Sequence, residues 1–104
     1  DLLSSDAEII TPREFALLGN YPNPFNPVTT LRFDLDYTSN VNVTIYNILG
    51  NEIITLQNGE LNAGRHALQW NANNAYGQKV PSGLYLYKVI SDNRSLTGKM
   101  LLMK

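Results

Sequence analysis

An all-β sandwich of about seven antiparallel strands is the fold this sequence predicts, and three observations carry it. Apolar residues recur at every second position in several short runs. Clusters of Gly and Asn interrupt those runs at roughly 8–12-residue spacing, and both residue types tolerate the positive φ that tight reversals need. No stretch of about ten residues free of such clusters carries a 3.6-residue apolar stripe.

Taken in order, the first strand is Phe15–Leu18. In Thr29–Leu35, Leu31, Phe33 and Leu35 alternate with Thr30, Arg32 and Asp34. In Val41–Tyr46, Val41, Val43 and Ile45 alternate with Asn42, Thr44 and Tyr46. Glu52–Leu56 follows, and then Gly64–Trp70, where His66, Leu68 and Trp70 share a face. Gly83–Ser91 is apolar on both sides, with Leu84, Leu86 and Ile90 opposite Tyr85, Tyr87 and Val89. It reads as a central strand covered on both faces, or as one whose aromatic face is reserved for a partner. Ser95–Met103 is the last strand. The turns fall at Asn47 to Gly50, Asn58-Gly59, Ala63-Gly64, Asn73 to Gly77, Ser82-Gly83 and Asp92-Asn93.

At 104 residues the chain has room for one core. Residues 1–14 differ from the rest: they hold Asp1, Asp6, Glu8 and Glu14, and a Thr11-Pro12 break follows Ile9-Ile10. They read as a linker with an extended arm, Ile9-Ile10 adding an edge strand, and residues 15–104 as the domain. The composition excludes several functions. With no Cys, thiolate metal sites, disulfides and thiol nucleophiles are ruled out, and a net charge of −1 with basic residues scattered singly gives no footprint for nucleic acid. No apolar run is long enough for a membrane helix.

Groups able to do chemistry together are few. His66 is the single imidazole and lies on an apolar strand face, the setting of a hydrogen-bonded structural histidine. Asp34 and Asp36 share a strand face without a third acid nearby; a calcium site there is weighed against solvated edge charges, and the charges are preferred. No phosphate-binding, dinucleotide, serine-nucleophile or zincin motif occurs. Catalysis is not expected, nor is a cofactor or metal. Trp70, Tyr76, Tyr85 and Tyr87 raise the alternative of an aromatic platform for sugar rings. Trp70 and Tyr85 are expected in the core, with Tyr76 and Tyr87 left open.

The segment Asn20-Tyr21-Pro22-Asn23-Pro24-Phe25-Asn26-Pro27 is the most unusual in composition. Its prolines fix φ near −65° and bias the preceding residues away from the helical region. A stiff extended loop follows, with Phe25 and Tyr21 pinning it to the sandwich. It reads as a connector between two sheets or as a recognition loop.

That segment, continued by Thr29-Thr30-Leu31-x-Phe33, resembles the opening motif of the C-terminal sorting domain of the type IX (Por) secretion system. Four further blocks follow in the family's order: Val43-x-Ile45-Tyr46-Asn47-x-Leu49-Gly50-x-x-Ile53-x-x-Leu56, Gly59-x-Leu61-x-Ala63-Gly64-x-His66-x-x-x-Trp70-Asn71, Gly77-x-x-Val80-Pro81-Ser82-Gly83-x-Tyr85-x-Tyr87, and Lys99-Met100-x-Leu102-x-Lys104. The pattern is also similar to the immunoglobulin-like domain of the flagellar hook-capping protein. Two positions depart from it: Asn71 stands where many members have Asp, and Ala72 where many have Gly. The resemblance implies an immunoglobulin-like sandwich shaped by Pro22, Asn23, Pro24, Phe25, Pro27, Gly50, Trp70, Gly83 and Tyr85. It implies a non-catalytic address label at the C-terminus of a larger secreted cargo protein. Such a label is read by an outer-membrane translocon and processed by a sortase-like surface protease, with the periplasm as the route and the cell surface or exterior as the destination. Recognition would centre on Gly98, Lys99, Met100, Leu101, Leu102, Met103 and Lys104. No nucleic acid and no direct membrane insertion are expected, and the chain is expected as a monomer. The alternative is a carbohydrate-binding or structural accessory module of a multidomain secreted enzyme.

Overall fold

The computed structural model describes residues 12–103. Seven strands run in order: β1 (Ala16–Tyr21), β2 (Thr29–Leu35), β3 (Ser39–Asn47), β4 (Glu52–Leu61), β5 (Gly64–Trp70), β6 (Gly83–Ser91) and β7 (Arg94–Leu102). They form a three-stranded sheet ordered β1-β2-β5 and a four-stranded sheet ordered β4-β3-β6-β7, every pairing antiparallel. Alternation explains the packing. Leu31, Phe33 and Leu35 from one sheet face Val41, Val43, Ile45, Tyr85, Tyr87 and Val89 from the other, all of them buried.

The bounds of β1, β3, β4 and β7 differ from the sequence reading. Asn58-Gly59, read as a turn, lies inside β4, where Asn58 pairs with Asn42 and Gly59 with Val41. The reversal occurs instead at Asn62-Ala63, where the chain changes sheets. The strand expected from Phe15 begins at Ala16 and continues to Tyr21, through a register shift between Leu17 and Gly19. The Ile9-Ile10 edge strand and most of the 1–14 arm lie outside the described residues.

The two-sided strand β6 takes neither of its expected forms. Its aromatic face points into the core, with Tyr85 at 4% and Tyr87 at 3% exposure, while Leu84, Leu86 and Ile90 lie on the outer face, partly open to solvent. Gly98 sits across the ladder from Tyr87, and the phenol ring occupies the space a Cβ at that glycine would need. A small residue is required there because the core is close-packed. Burial pushes both phenols above their ordinary range.

The sandwich has two ends. At the hairpin end, the β6–β7 turn carries Asp92 at φ 56°. Arg94 there makes a two-pronged bond to Asp36, at 2.9 and 2.8 Å, and a third to Ser91 Oγ at 3.0 Å. Its guanidinium lies 4.8 Å from the Phe15 ring centre and 4.5 Å from that of Tyr37. This clasp joins the segment before β1 to the four-stranded sheet. Asp34 is held separately by Arg65, its cross-strand neighbour, at 2.8 and 3.2 Å. Each carboxylate thus has its own arginine.

The clasp sets a pH dependence. The hydrogen bond from Arg94 lowers the Asp36 pKa below its ordinary value of 3.8. The folded state therefore holds that proton less tightly than the unfolded chain does. Its contribution is complete above pH 3.8 and fades as pH falls through the depressed folded-state value. Denaturant midpoints across an acid pH series should drop more steeply for the natural chain than for Asp36→Asn.

Candidate functional site

All five sequence blocks meet at the other end of the sandwich, which we call the proline-loop end. Phe25, Trp70 and Tyr85 form its buried centre. The ring centres of Phe25 and Trp70 are 5.6 Å apart, and those of Trp70 and Tyr85 are 5.3 Å apart in an edge-on arrangement. Each aromatic also fixes a loop. The Trp70 indole N–H donates to the Asn73 carbonyl at 2.9 Å, and the Tyr85 hydroxyl donates to the Pro81 carbonyl at 2.6 Å. A tyrosine near the start of this strand bonding backbone a few residues upstream is the tyrosine corner of immunoglobulin-like sandwiches.

Phe25 acts through its backbone as well. Its N–H donates to the Leu101 carbonyl at 3.0 Å and its carbonyl accepts from the Met103 N–H at 2.9 Å, forming a parallel bridge to β7. The Leu101 N–H donates to Asn23 Oδ1 at 3.0 Å. The loop's other side is tied by Thr29 Oγ1, which donates to the Pro22 carbonyl at 2.8 Å and accepts from Asn20 Nδ2 at 3.1 Å. The proline segment is therefore a staple across the two sheets. Its three X-Pro bonds are cis. Tyr21, expected to pin the loop, is 75% exposed and does not.

Two turns at this end share one design. Asn47 Oδ1 accepts from the Leu49 and Asn51 N–H groups, and Asn74 Oδ1 accepts from those of Tyr76 and Gln78. Gly50 and Gly77 each lie three residues beyond the Asn, at φ 87° and 79°, and donate to its carbonyl. Only glycine enters that region readily, which explains both positions. The turns project Ile48, Leu49 and Tyr76 into solvent. With Tyr21, Leu84, Leu101 and Met103, seven of the nine large exposed apolar residues among the described ones collect at this end. The Asn-x-x-Gly spacing is readable in the sequence; the gathering of these side chains is not.

The residues expected to be recognised divide by the pleat. Met100 and Leu102 point inward at 1% and 2% exposure, Gly98 backs the Tyr87 ring, and Lys99, Leu101 and Met103 point outward. Lys104 lies outside the described residues. β7 is an edge strand, but its last outward backbone groups, at Leu101 and Met103, are taken by the staple. Because backbone direction alternates, the N–H and C=O of Ser95, Thr97 and Lys99 face outward too. They have no ladder partner among the described residues.

The aromatic platform does not form: Trp70, Tyr85 and Tyr87 are buried, leaving Tyr76 alone of the four in solvent. Each of these three rings is packed into the core, so none of the three offers a flat face to a sugar. His66 stacks on Phe33 with ring centres 5.4 Å apart, and its Nε2 is 2.7 Å from the Asn62 carbonyl, a structural placement. Among the described residues no three His, Cys, Asp or Glu side chains gather as metal ligands.

A sandwich of this strand order, with a tyrosine corner and loops pinned by buried aromatics, is an immunoglobulin-like domain. The chain belongs to the FlgD Ig-like domain family, which matches residues 26–95. Solved structures with this fold include latent PorU from Porphyromonas gingivalis, at 23% identity and a TM-score of 0.68 over 91% of this chain. PorZ from the same organism is described as an essential surface component of its type-IX secretion system. It matches at 22% identity and a TM-score of 0.58 over 82% of this chain. FlgD from P. aeruginosa also gives 22% and 0.58, over 72%. The chain spans 10% of the PorU chain, 11% of PorZ and 59% of FlgD. No curated protein matches the sequence.

The inward residues of β7 make the strand part of the fold. Burying one such side chain contributes about 1.5–3 kcal/mol, against a total of about 5–15 kcal/mol for a domain. Deleting residues 99–104 removes Met100, Leu102 and both staple bonds. The shortened chain should lack a cooperative thermal transition and the near-ultraviolet circular dichroism of the packed aromatics.

Proposed function

We propose that this chain is a non-catalytic targeting domain that directs a larger secreted protein through the type IX system, from the periplasm to the cell surface or exterior. The cargo precedes it in the full-length protein. The translocon reads the folded domain, and a sortase-like surface protease cuts upstream, in or near residues 1–14. The likeness to PorU and PorZ, together with the five collinear blocks, supports this reading.

One observation carries the mechanism: among the described residues, β7 presents a stretch of sheet edge without a ladder partner at Ser95, Thr97 and Lys99, flanked by the stapled 101–103 segment. A receptor strand adds to that edge through main-chain hydrogen bonds, while outward side chains such as Lys99 supply selectivity. The staple holds the edge flat and in register, so the receptor meets an ordered strand and little ordering entropy is lost on binding.

Proline at Thr97 isolates this role from folding. It removes an N–H that points to solvent and leaves the β6 ladder intact. A reporter carrying an export signal and this domain at its C-terminus should reach the surface of a type IX-competent cell. Its Thr97→Pro form should stay periplasmic with a melting temperature within a few degrees of the parent. Equal surface delivery of both, or retention of the parent, contradicts the proposal.

A further inference from the structure

Two depressions meet at Leu102 on the proline-loop end. The larger, about 450 Å³, runs between the Asn26-Pro27 loop and the Asn71-Ala72 and Lys79-Val80 segments. The smaller, about 380 Å³, lies over Gly83, Leu101 and Met103. Pro27, Ala72, Val80 and Leu102 give the larger cleft an aliphatic lining. Among the described residues Lys79 is the one charged residue in it, and no carboxylate lines either depression. Lys79 has no ion-pair partner among the described residues. Of the described acids, Glu14, Asp34, Asp36, Glu60 and Asp92 lie toward the hairpin end, two of them paired with arginine. Glu52, at the start of β4 beside the 47–50 turn, lies at this end but lines neither depression.

The walls are held before anything binds. The Val80 N–H donates to the Ala72 carbonyl at 3.0 Å, closing the 72–80 loop, and Ala72 keeps a left-handed φ of 63°. An alanine in that region is strained, and the surrounding contacts hold it there. On the opposite wall, Asn26 and Pro27 follow directly from the Phe25 staple.

We infer that this groove binds an extended segment of a partner protein, with an aliphatic side chain seated on Val80 and Leu102 and a neighbouring carboxylate paired with Lys79. Two depressions sharing one wall suit side chains two residues apart on a strand, about 6.8 Å. The Asn26 and Asn71 amides, both at the lining, match a peptide backbone. An acidic sugar would satisfy Lys79 equally, but no aromatic face lines the cleft to stack its ring. The groove is separate from the open part of the β7 edge, so this inference does not rest on the secretion proposal.

The test is a titration of the isotopically labelled full chain with a blocked hexapeptide alternating leucine and glutamate, followed by amide chemical shifts. Shifts should concentrate at Ala72, Lys79, Val80 and Leu102. Affinity should fall about two- to fivefold in Lys79→Gln, the range of an exposed ion pair, and similarly when glutamine replaces glutamate in the peptide. Lys79→Glu should weaken binding further, and added salt should reduce it for the parent chain only. Lys79 is exposed, so the variants should melt with the parent. No shift at millimolar peptide, shifts located elsewhere, unchanged affinity in Lys79→Glu, or preference for an oligogalacturonate over the peptide would each overturn the inference.

Discussion

The packing of Phe25, Trp70 and Tyr85 against one another is the constraint on which the rest of this domain depends. The three rings come from the proline loop, the end of β5 and the start of β6, so a single cluster ties the smaller sheet, the larger sheet and the segment between them. Each also places a polar group. The indole N–H fixes the loop after β5, the phenol fixes the loop before β6, and the Phe25 main chain fixes the end of β7. Without the burial of these rings, the surrounding hydrogen bonds would be exposed turn contacts of little individual worth. With it, they are shielded from competing water and act together.

The proposed function rests on what this arrangement leaves open. An edge strand is normally a liability, managed by bulges, charges or covering segments. Register shifts interrupt β1 and β4, each lying at a sheet edge. β7 pairs regularly with β6, and among the described residues its outward backbone groups are bonded at Leu101 and Met103. The staple thus orders the strand, and under the proposed strand addition it limits which part of the edge a receptor reaches. Two charge pairs serve the fold: Asp36 and Arg94 close one end, and Asp34 and Arg65 lock a cross-strand pair.

Much of the fold was legible because alternation at a period of two is a direct consequence of one buried and one open face. β2, β5 and β6 begin and end where that pattern predicts. Gly59 was misread because Asn-Gly signals a reversal locally, while pairing with Val41 keeps the chain extended. β6 was ambiguous because aromatic and leucine faces have similar hydrophobicity; only the opposing sheet decides which is covered. The placement of Trp70 and Tyr85 followed from side-chain size and polarity. The Phe25 staple was not readable, since it depends on main-chain groups separated by more than 70 residues from their partners, and sequence carries no sign of backbone direction at that range. For the same reason nothing in the last strand's own residues marks the outward groups at Leu101 and Met103 as occupied.

Amide hydrogen exchange on the full chain and on Phe25→Ala measures the central claim most directly. In the parent, the amides of Phe25, Val80 and Met103 should be protected to a degree approaching that of β6. In Phe25→Ala, protection at Val80 and Met103 should collapse while amides at the hairpin end, such as Asp92 bonded to Asn40, keep most of theirs relative to global stability. Retained protection at Val80 and Met103, or an equal loss throughout the sandwich, would contradict an aromatic cluster that organises this end in particular.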